Sequence, residues 1–322
     1  MLDIIIVGGG PIGLACALEA RKAGLKYSVL EKGCLVNSLY HYPYNMTFFS
    51  TSERLEIGEI PFVSISVKPT RNEALEYYRR ATLSNHLDVC LQEEVKAIND
   101  KGGDHYEVIT SKGVHYARYV VLATGFYDKP VLMHIPGEDL PKVTHYYKEP
   151  HFYAMRKVVV VGANNSAVDA ALETFRKGAE VTMVIRGNEI GRRVKYWVKP
   201  DIENRIAEGS IKAFFNSGLA AVYEDRVDIQ TKDGIVTLPN DYVIAATGYQ
   251  PQFDFLRATG IRLSDDEKLR PDYNPETMET NKRNIYLAGV VCGGMDTHSW
   301  FIENSRVHAT VIMQDIMKKE RG

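Results

Sequence analysis

Residues 4–33 read IIIVGGGPIGLACALEARKAGLKYSVLEKG, and this stretch decides the fold. An apolar strand, Ile4 to Val7, enters a turn that carries Gly8, Gly10 and Gly13. A helix is predicted to follow and to stop at Gly24, and a second strand closes on Glu31. Gly8 permits the tight turn, Gly10 lets backbone approach a pyrophosphate, and Gly13 lets helix and strand pack closely. The pyrophosphate would lie against unpaired N–H groups at the helix N-terminus. Glu31, 18 positions beyond Gly13, would accept hydrogen bonds from an adenosine ribose. A lone GxGxxG is weak evidence. Between a strand and a helix, with an acid at this distance, it predicts a dinucleotide site.

The unit occurs twice. Residues 158–187 read VVVVGANNSAVDAALETFRKGAEVTMVIRG: strand Val158 to Val161, then Gly162, Asn164 and Ala167, a helix stop at Gly178 and a second strand closing at Arg186. Gly8 to Gly24 and Gly162 to Gly178 are both 16 positions. The match at the helix stop is physical, because that site favours a left-handed residue. The second fingerprint is looser, with Asn164 and Ala167 where the first has glycines, and its strand ends on a base. A carboxylate there would repel a 2′-phosphate, whereas a guanidinium can bind it bidentately. Arg192 and Arg193 follow and read equally well as a solvated loop face. One copy therefore suits FAD and the other NADPH.

Each unit is followed by a hairpin excursion and a buried strand that ends in Ala-Thr-Gly. In the first, His105 to Thr110 and Val114 to Arg118 flank Ser111-Lys112-Gly113, and Tyr119 to Leu122 runs into Ala123-Thr124-Gly125. In the second, Arg226 to Thr231 turns at Lys232-Asp233-Gly234, and Asp241 to Ala245 runs into Ala246-Thr247-Gly248. A third apolar strand, Asn284 to Val291, precedes a helix predicted from about Thr297 to Lys318. Thr70 and Glu73 form a capping-box pattern at another helix start.

Composition narrows the function. At 322 residues the chain suits two domains of about 150 residues each. With 45% hydrophobic and 25% charged residues it reads as globular, and a net charge of −2 offers no field to hold nucleic acid or an anionic membrane. No apolar run approaches the roughly 18–20 residues of a membrane span. The opening strand has no basic segment before it, so no secretory signal and a cytoplasmic location are expected. Four cysteines, Cys16, Cys34, Cys90 and Cys292, form no CxxC and are too scattered for a disulfide framework or a zinc site. No metal is expected.

Two Rossmann units, each closed by Ala-Thr-Gly, resemble the two-dinucleotide-binding flavoproteins of the low-molecular-weight thioredoxin reductase-like branch. The stretches EKGCLVNSLYHYP, TFFSTSERLEIGEIPF, LPKVTHYYKE, GANNSAVDAALE, IAATGYQPQFDFL and FIENSRVHA resemble the bacillithiol disulfide reductases across nearly the whole chain. The resemblance implies an α/β fold of two three-layer Rossmann-like domains. An NADPH domain (127–249) would be inserted into a discontinuous FAD domain (1–126 and 250–322). It implies FAD on Gly8, Gly10, Pro11, Ile12, Gly13, Glu31, Lys32, Ser38, Tyr40, His41, Val95, Ala123, Thr124, Gly125 and Gly289. NADPH would lie on Gly162, Asn164, Asn165, Ser166, Ala167, Arg186, Arg193 and Gly248. The Ala-Gly-Asp motif of such proteins reads Ala288-Gly289-Val290, so its carboxylate is missing. A homodimer or homotetramer is expected.

Bacillithiol-type reductases commonly carry a cysteine inside the first fingerprint, and here that position is Ile12. Cys16 lies one helical turn deeper and reads first as a small buried hydrophobe and only second as a candidate redox thiol, Cys90 reads as a strand residue, and Cys34 as a neighbour of the adenosine end. Cys292, after the last strand, is the remaining thiol able to approach a flavin. His298 and Glu303, near the predicted start of the last helix, are candidates for proton transfer. Without a CxxC relay, the expected reaction passes hydride from NADPH to flavin and then electrons to a low-molecular-weight disulfide. Three alternatives remain at this point: a ferredoxin or flavodoxin reductase, a flavin monooxygenase, and a non-catalytic FAD redox sensor. The monooxygenase reading rests on His145 in LPKVTHYYKEP and is weakened by Asp139, Pro141 and Glu149 at the other motif places.

Overall fold

In a computed structural model, which describes residues 1–102 and 105–321, the opening apolar run forms strand Leu2–Val7 inside a seven-stranded sheet. The strand order is Val89–Cys90, Tyr27–Leu30, Leu2–Val7, Val114–Leu122, Tyr106–Thr110 and Val95–Asp100, with Ile285–Leu287 also paired to Val114–Leu122. Ile4, Ile5 and Ile6 have no exposed surface, as expected where parallel neighbours flank a strand covered on both faces. Helix Pro11–Lys22 buries residues all around its circumference and packs on the C-terminal helix Val307–Arg321.

The chain divides into two compact units. One comprises Met1–His41, Met46–Lys129 and Tyr249–Gly322, the other Tyr42–Asn45 and Pro130–Gly248. The second unit has its own five-stranded parallel sheet, in the order Lys212–Phe214, Glu180–Val184, Lys157–Val161, Tyr242–Ala245 and Val143–Thr144. Helix Asn165–Arg176 lays one apolar face on it, through Ala167, Val168, Ala171 and Leu172. Both fingerprint helices stop at a left-handed glycine, Gly24 at φ +73° and Gly178 at φ +85°.

The two hairpin excursions differ. In the first unit the hairpin's second strand and the buried strand are one element, Val114–Leu122, not two. Its first half pairs antiparallel with Tyr106–Thr110, and its second half lies parallel between Leu2–Val7 and Ile285–Leu287. No turn residue separates Arg118 from Tyr119, so the strand runs through. In the second unit Pro239 and Asn240 intervene. Gly218–Val222, Arg226–Thr231 and Gly234–Pro239 form a separate antiparallel sheet, and Tyr242–Ala245 joins the parallel one.

Two further expectations need correction. The last apolar strand is short, Ile285–Leu287, because Gly289 at φ +85° turns the chain into a 3-10 segment, Gly289–Gly293. The final helix does not begin at Thr297. A turn runs to Phe301, whose N–H donates to Asn304 Oδ1 at 2.6 Å, and helix Ile302–Ser305 precedes Val307–Arg321. The capping box at Thr70 is formed: Thr70 Oγ1 accepts from Glu73 N at 3.3 Å and Glu73 Oε2 from Thr70 N at 2.8 Å.

Candidate functional site

The first fingerprint turn is shaped by close backbone approaches. Gly8 sits at φ +108°, and a Cβ there would lie 2.5 Å from the Ala123 carbonyl oxygen. A Cβ on Gly13 would lie 1.9 Å from the Gly8 oxygen, which no side chain tolerates. At Gly10 an added Cβ meets nothing within 4 Å, so this side of the turn is open to a ligand. Gly125, closing the Ala-Thr-Gly segment at φ +69°, is equally open. Thr124 stands between the tightly packed Ala123 and this free edge.

Glu31 follows the second strand and is buried, at 6% exposure. Its two carboxylate oxygens accept from Gly9 N at 2.7 Å and Gly33 N at 2.8 Å. Burial pushes its pKa up, and the two N–H donors partly oppose this. The carboxylate is thereby held in one orientation, with lone pairs left for further donors. Val36 adopts a left-handed conformation at φ +48°, unusual for a β-branched residue, and its N–H donates to Gly9 O at 3.1 Å. This strained hinge launches the short helix Asn37–Tyr40, which carries Ser38 and Tyr40 and ends before His41. Lys32, Tyr40 and His41 line an open cleft of about 590 Å³ together with Gly33, Cys34, Asn37, Gln92 and Glu94. Lys32 is anchored by Asp128 at 2.9 Å. Val95 begins the outer strand Val95–Asp100, and Gly289 packs against Ile12.

In the second unit, Gly162 at φ +127° approaches the Ala246 carbonyl, where a Cβ would stand 2.7 Å away. Ala167 keeps a real Cβ where the first turn needs Gly13. The loop after Arg186 folds back over the helix start. Gly191 N donates to Ala163 O at 2.9 Å, Asn165 Nδ2 to Arg193 O at 3.1 Å, and Lys195 N to Asn165 Oδ1 at 2.9 Å. Asn165 thus holds the loop, while Asn164 and Ser166 face outward and Gly248 lies at φ +100°. Arg186 and Arg193 are exposed, and among the described residues neither guanidinium has a carboxylate partner. Arg192 is occupied by Glu189 at 2.9 Å.

The thiols are quiet. Cys16 is fully buried and its pKa is pushed up to about 12. Cys292, expected to approach a flavin, is 2% exposed, and burial raises its pKa strongly. Its Sγ lies 3.9 Å from His308 Nδ1, but that nitrogen already accepts from Gly289 N at 3.2 Å, and burial lowers the His308 pKa to about 4. A thiolate–imidazolium pair is therefore disfavoured on both sides. Cys34 is half-buried, its pKa raised by burial and then by the Glu31 carboxylate. Cys90 lies in a short strand beside Ser28 Oγ at 3.5 Å. At the place where the resemblance expects a cysteine, Ile12 is buried against Gly289. His298 is exposed, and Glu303 accepts from Ser50 Oγ, so the structure does not pair these two with each other.

Two contributors escaped the sequence reading. Arg71, 6% exposed, donates through Nε to Leu39 O at 3.1 Å and through Nη2 to Tyr40 O, holding the short helix of the cleft. It follows a capping threonine, where a solvated base is the ordinary expectation. His308 stands inside the stretch FIENSRVHA, and nothing local marks it as buried.

Residues 5–289 match the pyridine nucleotide-disulphide oxidoreductase family. The chain is 42% identical over 317 residues to bacilliredoxin reductase Bdr of Bacillus subtilis, covering 98% of both chains. The solved bacillithiol disulfide reductases Bdr (YpdA) of Staphylococcus aureus and Bacillus cereus each superpose with a TM-score of 0.96, at 39% and 41% identity over 99% of both chains. The chain belongs to the bacillithiol disulfide reductase family. It is an NAD(P)H-dependent flavoprotein disulfide reductase, which decides between the readings that the sequence left open. The family implies FAD and NAD(P)H, and the residues present fit both groups: a free edge at Gly10 with a fixed Glu31 in one unit, an open turn with the exposed guanidiniums of Arg186 and Arg193 in the other. Among the described residues, no helix is long and apolar enough to cross a membrane.

Proposed function

We propose that the first unit binds FAD and the second binds NADPH, and that the acceptor is a bacillithiol disulfide, free or held on a bacilliredoxin. The contrast between the two strand ends carries the cofactor assignment. Glu31 is a buried carboxylate fixed to receive ribose hydroxyls, whereas Arg186 is an exposed cation that suits a 2′-phosphate. Gly8, Gly10, Pro11, Ile12 and Gly13 would cradle the FAD pyrophosphate, with Lys32, Ser38, Tyr40, His41, Val95, the segment Ala123 to Gly125, and Gly289 around the rest. Gly162, Asn164, Asn165, Ser166, Ala167 and Gly248 would hold the NADPH pyrophosphate side, and Arg186 and Arg193 its phosphate. Bound FAD supplies the two-electron chemistry: per disulfide, one NADPH and one proton are consumed and two thiols are released.

The chain's own part is orientation and exclusion. Ile12 takes the place of the thiol in the fingerprint turn, Cys16 and Cys292 are buried, and no two of the four cysteines form a CxxC, so the acceptor's sulfurs meet the flavin without a dithiol of this chain. The likeness to the Bacillus and Staphylococcus reductases supports the acceptor class. NADPH oxidation measured with bacillithiol disulfide, glutathione disulfide, a ferredoxin and oxygen, at equal enzyme concentration, tests it. Turnover is expected to be fastest with bacillithiol disulfide. Faster turnover with ferredoxin would replace this reading.

A further inference from the structure

Gly289 lies two residues beyond the last strand, with Ala288 N donating to Leu122 O at 3.0 Å just before it. At φ +85° its own N–H has left the sheet and would be a buried orphan. It donates instead to His308 Nδ1, 19 residues on, at 3.2 Å. The same glycine packs on Ile12, where an added Cβ would lie 3.3 Å from Ile12 Cγ1, so the turn touches the pyrophosphate fingerprint. His308 is 3% exposed and held edge-on by the Trp300 ring at a centroid distance of 4.5 Å. With Nδ1 accepting, the ring is a neutral imidazole that carries its proton on Nε2.

We propose that His308 is a positioning residue for the flavin site, fixing the Gly289 turn against the fingerprint helix by accepting its N–H. The inference rests on the assignment of FAD to the first unit. Loss of the acceptor leaves the Gly289 N–H buried and unpaired, and the turn must shift to find water, moving with it the surface beside Ile12. Asparagine offers an oxygen at the place of Nδ1, whereas phenylalanine fills the ring's volume with no acceptor.

The test uses holoenzyme of wild type, His308→Phe and His308→Asn, and reads the FAD dissociation constant, the visible flavin absorption bands and the KM for NADPH. His308→Phe is expected to weaken FAD binding about tenfold or more and to shift the flavin bands, with His308→Asn within about threefold of wild type. The KM for NADPH, a property of the second unit, should hold in both. A packing role would rank the variants the other way, because asparagine leaves a void and phenylalanine does not. Wild-type FAD affinity and spectrum in the Phe variant, or equal damage in both, overturns the proposal. Should the Phe variant yield no folded holoenzyme, the Asn variant decides alone: near-wild-type affinity and bands support the proposal, and a tenfold loss overturns it. A wild-type protein that binds no FAD would instead overturn the assignment of the unit.

Discussion

The two fingerprint turns perform one task with different tolerances. In the first, Gly13 must lack a side chain because its Cβ would strike the Gly8 oxygen at 1.9 Å, and the helix behind it is buried on all sides. In the second, Ala167 stands at the equivalent place and the helix shows an outer face. Yet both opening glycines meet the carbonyl of the alanine in Ala-Thr-Gly, Gly8 facing Ala123 and Gly162 facing Ala246. The approach of the opening glycine to the neighbouring strand is thus shared. The approach of the helix to the turn is not. A helix enclosed on every side must sit deeper than one that covers a sheet from outside, and the glycine count follows from that depth.

The largest expected effect breaks this comparison directly. Gly13→Ala should cost about 3 kcal/mol or more and abolish FAD retention, because the clash is with backbone and cannot be relieved by a rotamer. Ala167→Gly should cost only about 1 kcal/mol, the helix-propensity difference, and leave NADPH use intact. Thermal melts with FAD stoichiometry check both. Equal damage from the two substitutions would mean that the turns are equivalent after all.

Acid sharpens the contrast next. His308 in the first unit has a folded pKa of about 4 against a reference of 6.5, so the unfolded chain binds the extra proton between these values. Its neutral form contributes stability that is whole above pH 6.5 and declines by about 3 kcal/mol as pH falls toward 4. In the second unit the half-buried carboxyl of Glu173, hydrogen-bonded by Tyr147 OH at 2.7 Å, has a pKa raised by its partial burial and opposes folding only as pH rises. Melting curves from pH 7 to pH 4 should show a slope that His308→Asn flattens and Glu173→Gln does not.

The strand-end charges supply a smaller test. Arg186→Ala should raise the KM for NADPH about tenfold and leave that for NADH nearly unchanged, the loss of one charge-assisted contact. Equal losses with both coenzymes would place Arg186 on the pyrophosphate or the fold. Least of all should depend on the thiols. Cys16→Ala and Cys292→Ala should keep flavin reduction and disulfide turnover within about twofold, since both sulfurs are protonated and enclosed. Stopped-flow reduction followed by turnover reads both steps, and lost turnover in the Cys16 variant would restore a thiol relay.

Much of this was legible in residues 4–33 and 158–187. The glycine spacing, the left-handed helix stops and the charges after the second strands are decided by backbone sterics within a few residues, so sequence alone determines them. The Pro239-Asn240 break was equally present in the sequence, but its consequence, a hairpin detached into its own sheet while Val114–Leu122 runs unbroken, depends on which strands come to lie alongside. The fate of Cys292 and the tasks of Arg71 and His308 were not legible. A cysteine, an arginine after a helix cap and a histidine in a helix look the same in sequence whether solvated or enclosed. Packing enclosed Cys292, and it gave Arg71 and His308 their tasks by burying a backbone group far along the chain, the Leu39 carbonyl for Arg71 and the Gly289 N–H for His308. The cost of leaving such a group unpaired arises only once water has been excluded, and only the tertiary structure decides where that happens.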